Sequence, residues 1–189
     1  SNEIESFDHK LCDMIIGVSN KPKDTQGLLK KLKENALKSI EIVKDKVTNF
    51  SLYDEGNIRN ISHLEYLEDY LKPYFTAAVG NYKITMDAKK EFSSSNLNIN
   101  KISDLMNSHH NYLKKDLKIT TSEIDKMIDI SLENGAIGCK IVGSGGGGSI
   151  VSLSTNSNTS NKIVSKLRSI GVKDAFIARK GSGPSIYYE

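Results

Sequence analysis

The sequence predicts an α+β fold, an antiparallel sheet of split β-α-β (ferredoxin-like) topology with a helical layer. Three observations predict it. Strand-like and helix-like stretches are segregated along the chain rather than alternating, which favours one antiparallel sheet. After residue 135 the order is strand, glycine loop, strand, helix, strand, the order of a split β-α-β tail. A single apolar run near the start stands apart from that tail across a long helical middle.

Residues 10–19 (KLCDMIIGVS) form the first apolar run, closed by Asn20 and Pro22, and read as a strand buried on both faces. Asp24 and Thr25 stand where a helix N-cap belongs. Leu28, Leu32, Ala36, Ile40, Val43 and Val47 then mark one helical face, so the helix runs to about residue 47. Residues 50–60 read as a polar loop. From 61 to 92 the pattern is helical again on Leu64, Leu67, Leu71, Phe75, Val79 and Ile84, with kinks or breaks expected at Pro73 and Gly80. After a polar connector at 93–98, Ile102, Leu105, Met106, His109 and Leu113 outline another helix. Thr120 and Glu123 fit a capping box for a helix carrying Ile124, Met127, Ile128 and Leu132, and Asn134-Gly135 ends it. Residues 136–142, 149–153 and 172–178 read as strands, with a helix over 162–170 between the last two. Residues 185–188 read as a final strand after the turn Gly181-Ser182-Gly183-Pro184.

The chain has 189 residues, one domain by default, with 38% hydrophobic and 26% charged residues, as in an ordinary globular protein. The net charge of +3 comes from Lys and Arg spread among acids, which reads as a solvated surface rather than a nucleic-acid face. Tryptophan is absent, and no aromatics look well placed on the sheet apart from Tyr187-Tyr188, so base stacking gains no support. Cys12 and Cys139 lie in apolar runs and form no C-x-x-C pair, so they read as buried thiols of a reducing, cytoplasmic protein. No apolar stretch of membrane-spanning length is present. No metal-ligand cluster is read from the residues.

The stretch KIVGSGGGGSIVSL places Gly143, Gly145, Gly146, Gly147 and Gly148, with Ser144, between two β-branched runs. A flexible linker does not join strands of one hairpin, and a tight turn accounts for only one or two glycines. Close approach of another group to bare backbone explains the rest, and successive N–H groups can cradle an anion. A Walker loop is excluded because Ser149, not Lys, follows the last glycine; a dinucleotide fingerprint is weak because a strand follows instead of a helix. His109-His110 suggests a general base, though a helix-face pair is the plainer reading. Lys140 reads first as a solvent-facing strand lysine, and Thr25 as a helix cap.

The longer stretch NGAIGCKIVGSGGGGSIVSL closely resembles the third motif of the GHMP small-molecule kinases, of the form G-A-x-G-x-K-x-[ST]-G-x-G-x-G-G. Gly135, Ala136, Gly138, Lys140, Gly143, Gly145, Gly147 and Gly148 match, while Val142 stands where Thr or Ser is usual. MIIGVSNKPKDTQGLLKKL and LMNSHHNYLKKDLKITTSEID resemble two further stretches of the family's C-terminal domain. The resemblance covers nearly the whole chain, so residues 1–189 are expected to be that domain alone. It implies an ATP-dependent kinase acting on a hydroxyl of a small metabolite, mevalonate kinase-like first and galactokinase or another sugar kinase second. A non-catalytic metabolite-binding module on the same fold is the rival reading. The family's P-x-x-x-G-L-G-S-S-type ATP loop and its base are not found in these residues. The resemblance therefore implies that ATP and Mg are bound mainly by a separate N-terminal kinase domain, that no catalytic residue lies in this chain, and that the chain alone is inactive. It assigns residues 143–148 to phosphate and substrate, with Thr25 and Lys140 on the substrate side. It leaves a homodimer open.

Overall fold

The computed structural model describes residues 12–21, 26–52 and 61–178. Strand β1 (Asp13–Val18) is followed by α1 (Gln26–Lys46), a 3-10 helix (Ile61–Tyr66), α2 (Lys72–Phe92) and α3 (Ile99–Asn111). α3 continues into a π-helical turn (Tyr112–Asp116). Then come α4 (Ser122–Glu133), β2 (Gly138–Val142), β3 (Ser149–Ser154), α5 (Ser157–Ser169) and β4 (Asp174–Ala178).

The strands pair in the order β2-β3-β1-β4, each antiparallel to its neighbour. β3 and β4 are therefore parallel to each other on either side of β1, joined by α5, which is the split β-α-β unit the sequence predicts. The register aligns Cys139, Ser152, Ile15 and Ile177 in one row and Ile141, Ile150, Gly17 and Ala175 in the next. The pleat puts both rows on one face. Ile124 and Met127 from α4 and Ile163 and Leu167 from α5 close over that face, and with Ile15, Ile141 and Ile150 they are fully buried. Each such side chain contributes about 1.5–3 kcal/mol relative to exposure. The opposite face is covered less evenly. Leu153 is buried there, whereas Phe176 is 42% exposed. The expectation that β1 is buried on both faces therefore holds for Ile15 but not for Met14, Ile16 and Val18, which are half-buried.

Helix α3 shields the β2 edge. The Asn107 carboxamide donates to Ile137 O at 3.2 Å and accepts from Cys139 N–H at 2.9 Å, as a neighbouring strand would. A smaller core of Val43, Phe50, Leu67, Leu71 and Phe75 joins α1, the 3-10 helix and α2. Among the described residues no helix is long and apolar enough to cross a membrane.

Four sequence expectations change. Pro73 lies in the first turn of α2, where its missing N–H costs nothing, and so starts the helix instead of breaking it. Gly80 sits in unbroken helix because the Tyr112 ring packs where its Cβ would be. The cap of α4 is Thr121, not Thr120: its hydroxyl accepts from Ile124 N–H at 3.3 Å, and Glu123 reaches away from the cap altogether. α5 starts at Ser157, capped by Asn156 to Thr159 N–H at 2.9 Å, ahead of the periodic apolar residues that mark its middle. The expected cap at Asp24-Thr25, the turn at 181–184 and the strand at 185–188 lie outside the described residues.

Candidate functional site

The β2–β3 hairpin pairs Val142 with Ser149, leaving residues 143–148 as the loop. All five of its glycines have positive φ: 83° at Gly143, 81° at Gly145, 72° at Gly146, 131° at Gly147 and 88° at Gly148. An L-residue in that region pays about 1–2 kcal/mol, so the run of glycines answers a run of left-handed backbone. Gly145 has a second reason. A Cβ there would lie 2.7 Å from Ile119 O and 2.9 Å from Ile119 Cβ. The close approach inferred from the sequence is thus made in part by the protein itself.

Two straps hold the loop. On one side Gly146 N–H donates to Ile119 O at 2.8 Å, while Ile119 N–H donates back to Leu113 O at 3.1 Å in the π-helical turn. Lys118, just before Ile119, has φ of 52°, an uncommon conformation for a lysine, next to the point of contact. On the other side Ser19 N–H donates to Gly148 O at 2.7 Å and Gly148 N–H donates to Lys21 O at 3.3 Å. The N–H groups of Gly143, Ser144, Gly145 and Gly147 have no acceptor among the described residues. Gly145 and Gly147 are buried. A fixed backbone with free donors can hold an oxyanion without any side chain intervening.

Lys140 lies in β2, three residues before the loop, and is half-buried, with burial lowering its pKa. The reading as a plain solvent-facing lysine is corrected accordingly. Lys140 stands near His109 and His110, and its charge helps keep both imidazoles neutral. Burial is the larger cause for each, and takes His109 down to about 4. His110 is only 6% exposed and His109 is half-buried, so the pair does not lie on an open helix face. Both His110 ring nitrogens and Asp125 Oδ1 are buried without a partner among the described residues, while Asp125 Oδ2 takes Lys114 Nζ at 3.3 Å. The structure thus brings Gly143 to Gly148 together with 19–21 and Ile119, and Lys140 together with the histidines. Thr25 lies outside the described residues.

Sequence reasoning missed three contributors. Ile119 acts through its backbone, which leaves no signature. Asn20 was read only as the end of a strand, and Glu123 only as half of a capping box. Asn20 N–H donates to Glu123 Oε1 at 2.8 Å, and Asn20 Nδ2 donates to the same oxygen at 3.2 Å and to Gly171 O at 2.7 Å. Among the described residues no group of three His, Cys, Asp or Glu is placed to hold a metal ion.

Residues 93–173 match the family model described as GHMP kinases C terminal. Over those residues the chain is similar to the C-terminal part of GHMP kinases. The matched stretch runs from the end of α2 to the loop before β4 and includes the whole glycine hairpin. Solved structures extend the likeness in fold to the rest of the chain. Lactococcus lactis galactokinase, solved with galactose, superposes with a TM-score of 0.75 at 22% identity, covering 96% of this chain and 48% of its own. Mevalonate kinase from methicillin-resistant Staphylococcus aureus MRSA252 superposes at 0.53 and 17% identity, covering 89% of this chain and 42% of its own. Among curated proteins, a Dictyostelium discoideum galactokinase is 39% identical over 59 residues, 31% of this chain and 12% of that protein. The chain therefore spans under half the length of these kinases. The α+β sheet with its helical layer is the fold of a GHMP kinase C-terminal domain.

Proposed function

We propose that the whole chain is the C-terminal domain of an ATP-dependent kinase that phosphorylates a hydroxyl of a sugar of the galactose type. In this reading residues 143–148 cover the phosphoryl group as it moves. The observation that carries the proposal is the glycine loop, a backbone fixed by two straps with four N–H groups that have no acceptor among the described residues. The acceptor is supported by the galactokinase superposition at 0.75 against 0.53 for the mevalonate kinase, and by the 39% identical stretch. This reverses the preference drawn from the sequence, which rested on the four-glycine run and on Asp24-Thr25.

Phosphoryl transfer is mostly positioning and neutralisation of charge on the transferred group. The free amides suit that task because they are already oriented, so no reorganisation is needed as charge develops. Ile119 O and Lys21 O occupy the amides of Gly146 and Gly148, which holds the backbone between them in place. Lys140 adds positive charge in the strand that leads into the loop. Bound magnesium would neutralise phosphate charge. The described residues offer no ligand set for it, and we assign its ligands, the ATP loop and the base to the N-terminal kinase domain.

The test is ADP release by the full-length protein with galactose, mevalonate, phosphomevalonate and homoserine, with Gly146→Val alongside. Turnover on galactose is expected, falling by about 10²-fold or more in the variant, because valine at a φ of 72° disturbs the strap to Ile119 and misplaces the neighbouring amides. Turnover on mevalonate alone would move the acceptor assignment back. Binding of a metabolite with no turnover on any acceptor would leave a non-catalytic module on the same fold.

A further inference from the structure

The two straps belong to distant parts of the chain, one at 19–21 and the other at Ile119. The β1–β3 ladder brings 19–21 to the hairpin through Val18 and Ser149, but no strand pairing among the described residues joins 19–21 to the segment of Ile119. The bond that does so is Asn20 N–H to Glu123 Oε1 at 2.8 Å, reinforced by Asn20 Nδ2 to the same oxygen at 3.2 Å. Asn20 sits between Ser19 and Lys21, which hold Gly148. Glu123 sits in the first turn of α4, four residues after Ile119, which holds Gly146. The contacts close into a ring: Gly146, Ile119, Glu123, Asn20, Ser19 and Gly148. The second Asn20 Nδ2 bond, 2.7 Å to Gly171 O, anchors the ring to the turn after α5.

We infer that Asn20 and Glu123 are positioning residues that set the glycine loop for catalysis by locking its two straps together. The inference rests on the loop having the role given to it above. Neither side chain hydrogen-bonds to the loop among the described residues; each acts through the backbone it holds. A misplacement of about 1 Å in a reacting geometry can cost on the order of 10²-fold in rate. Loss of the latch is therefore expected to lower kcat more than it changes the affinity for either substrate.

The experiment uses the full-length protein with Asn20→Ala, Glu123→Ala, Glu123→Gln and the double alanine variant, measuring kcat and KM together with exchange of the Gly146 amide. Glu123→Ala is expected to lose about tenfold or more in kcat with KM little changed, and Asn20→Ala less, because its backbone N–H can still donate to Glu123 Oε1. The double variant should lose no more than Glu123→Ala alone, because that change already removes the acceptor of both Asn20 bonds. Glu123→Gln keeps an acceptor oxygen and should restore turnover, which a requirement for negative charge would not allow. In the alanine variants the Gly146 amide should exchange faster while that of Ile150, inside β3, does not. Full turnover in both alanine variants, with Gly146→Val still impaired, would overturn the latch and leave the loop's role standing. Impairment in neither the alanine variants nor Gly146→Val would instead remove the role of the loop. If the protein turns over no acceptor, unchanged Gly146 exchange in Glu123→Ala overturns the latch by itself.

Discussion

Replacing Gly145 by alanine separates two costs that the structure assigns to one residue. The first is conformational: φ is +81°, where an L-residue pays about 1–2 kcal/mol. The second is steric. The new Cβ would lie 2.7 Å from Ile119 O and 2.9 Å from Ile119 Cδ1. The first of these is a backbone atom that cannot rotate aside, so overpacking adds about 1–3 kcal/mol. The two together come to about 2–5 kcal/mol, a large part of the stability of an ordinary domain. Gly171 supplies the control. Its φ is +78° and nothing lies within 4 Å of its Cβ position, so Gly171→Ala pays the conformational part alone. Urea unfolding reads the difference. With a slope of about 2 kcal/mol per molar, Gly145→Ala should lower the midpoint by about 1–2.5 M and Gly171→Ala by about 0.5–1 M. Equal shifts for the two variants would refute the claim that the loop is packed hard against Ile119.

Two further outcomes follow from the packing around the sheet. Asn107→Ala leaves Ile137 O and Cys139 N–H without their partner at the β2 edge, at a cost of about 1–3 kcal/mol in urea unfolding; a midpoint within error of the parent would show that water replaces the carboxamide freely. Acidification from pH 7.5 to 5.5 should destabilise the protein. The unfolded histidines take up protons near 6.5, whereas folded His109 does so only near 4 and folded His110 is also shifted down, so the unfolded state binds more protons across that window. The window lies above the usual carboxylate range, and a urea midpoint that stays level or rises on acidification would contradict the burial of the pair.

Much of the fold was legible because it is written in side-chain periodicity. The apolar rows of α1, α3 and α4 recur every three or four residues, and the β-branched runs on either side of the glycines read directly as a hairpin. Features that depend on a distant partner were not legible. Gly80 looks like a helix breaker until Tyr112, far along the chain, is seen to fill the space beside it. Thr120 and Thr121 are adjacent and chemically alike, and only the backbone geometry decides which of them caps α4. Within the site, the glycine run identified the loop, but its supports did not announce themselves. Ile119 serves through a carbonyl that any residue would carry. Glu123 fitted a local pattern well enough to hide its contact with Asn20, 103 residues away.

That last separation bears on the order in which the molecule folds. The hairpin of β2 and β3 closes over a few residues and can form early, whereas loop closure over a hundred or more residues is entropically costly and slow. The strap at 19–21 reaches the glycine loop only when β1 has inserted between β3 and β4, bringing Asn20 to Glu123 and to Gly171, 103 and 151 residues away. During synthesis the segment carrying Asn20 emerges long before anything it must hold. The site is therefore among the last parts of the domain to take shape, and a chain caught partway presents a formed hairpin with an unshaped loop.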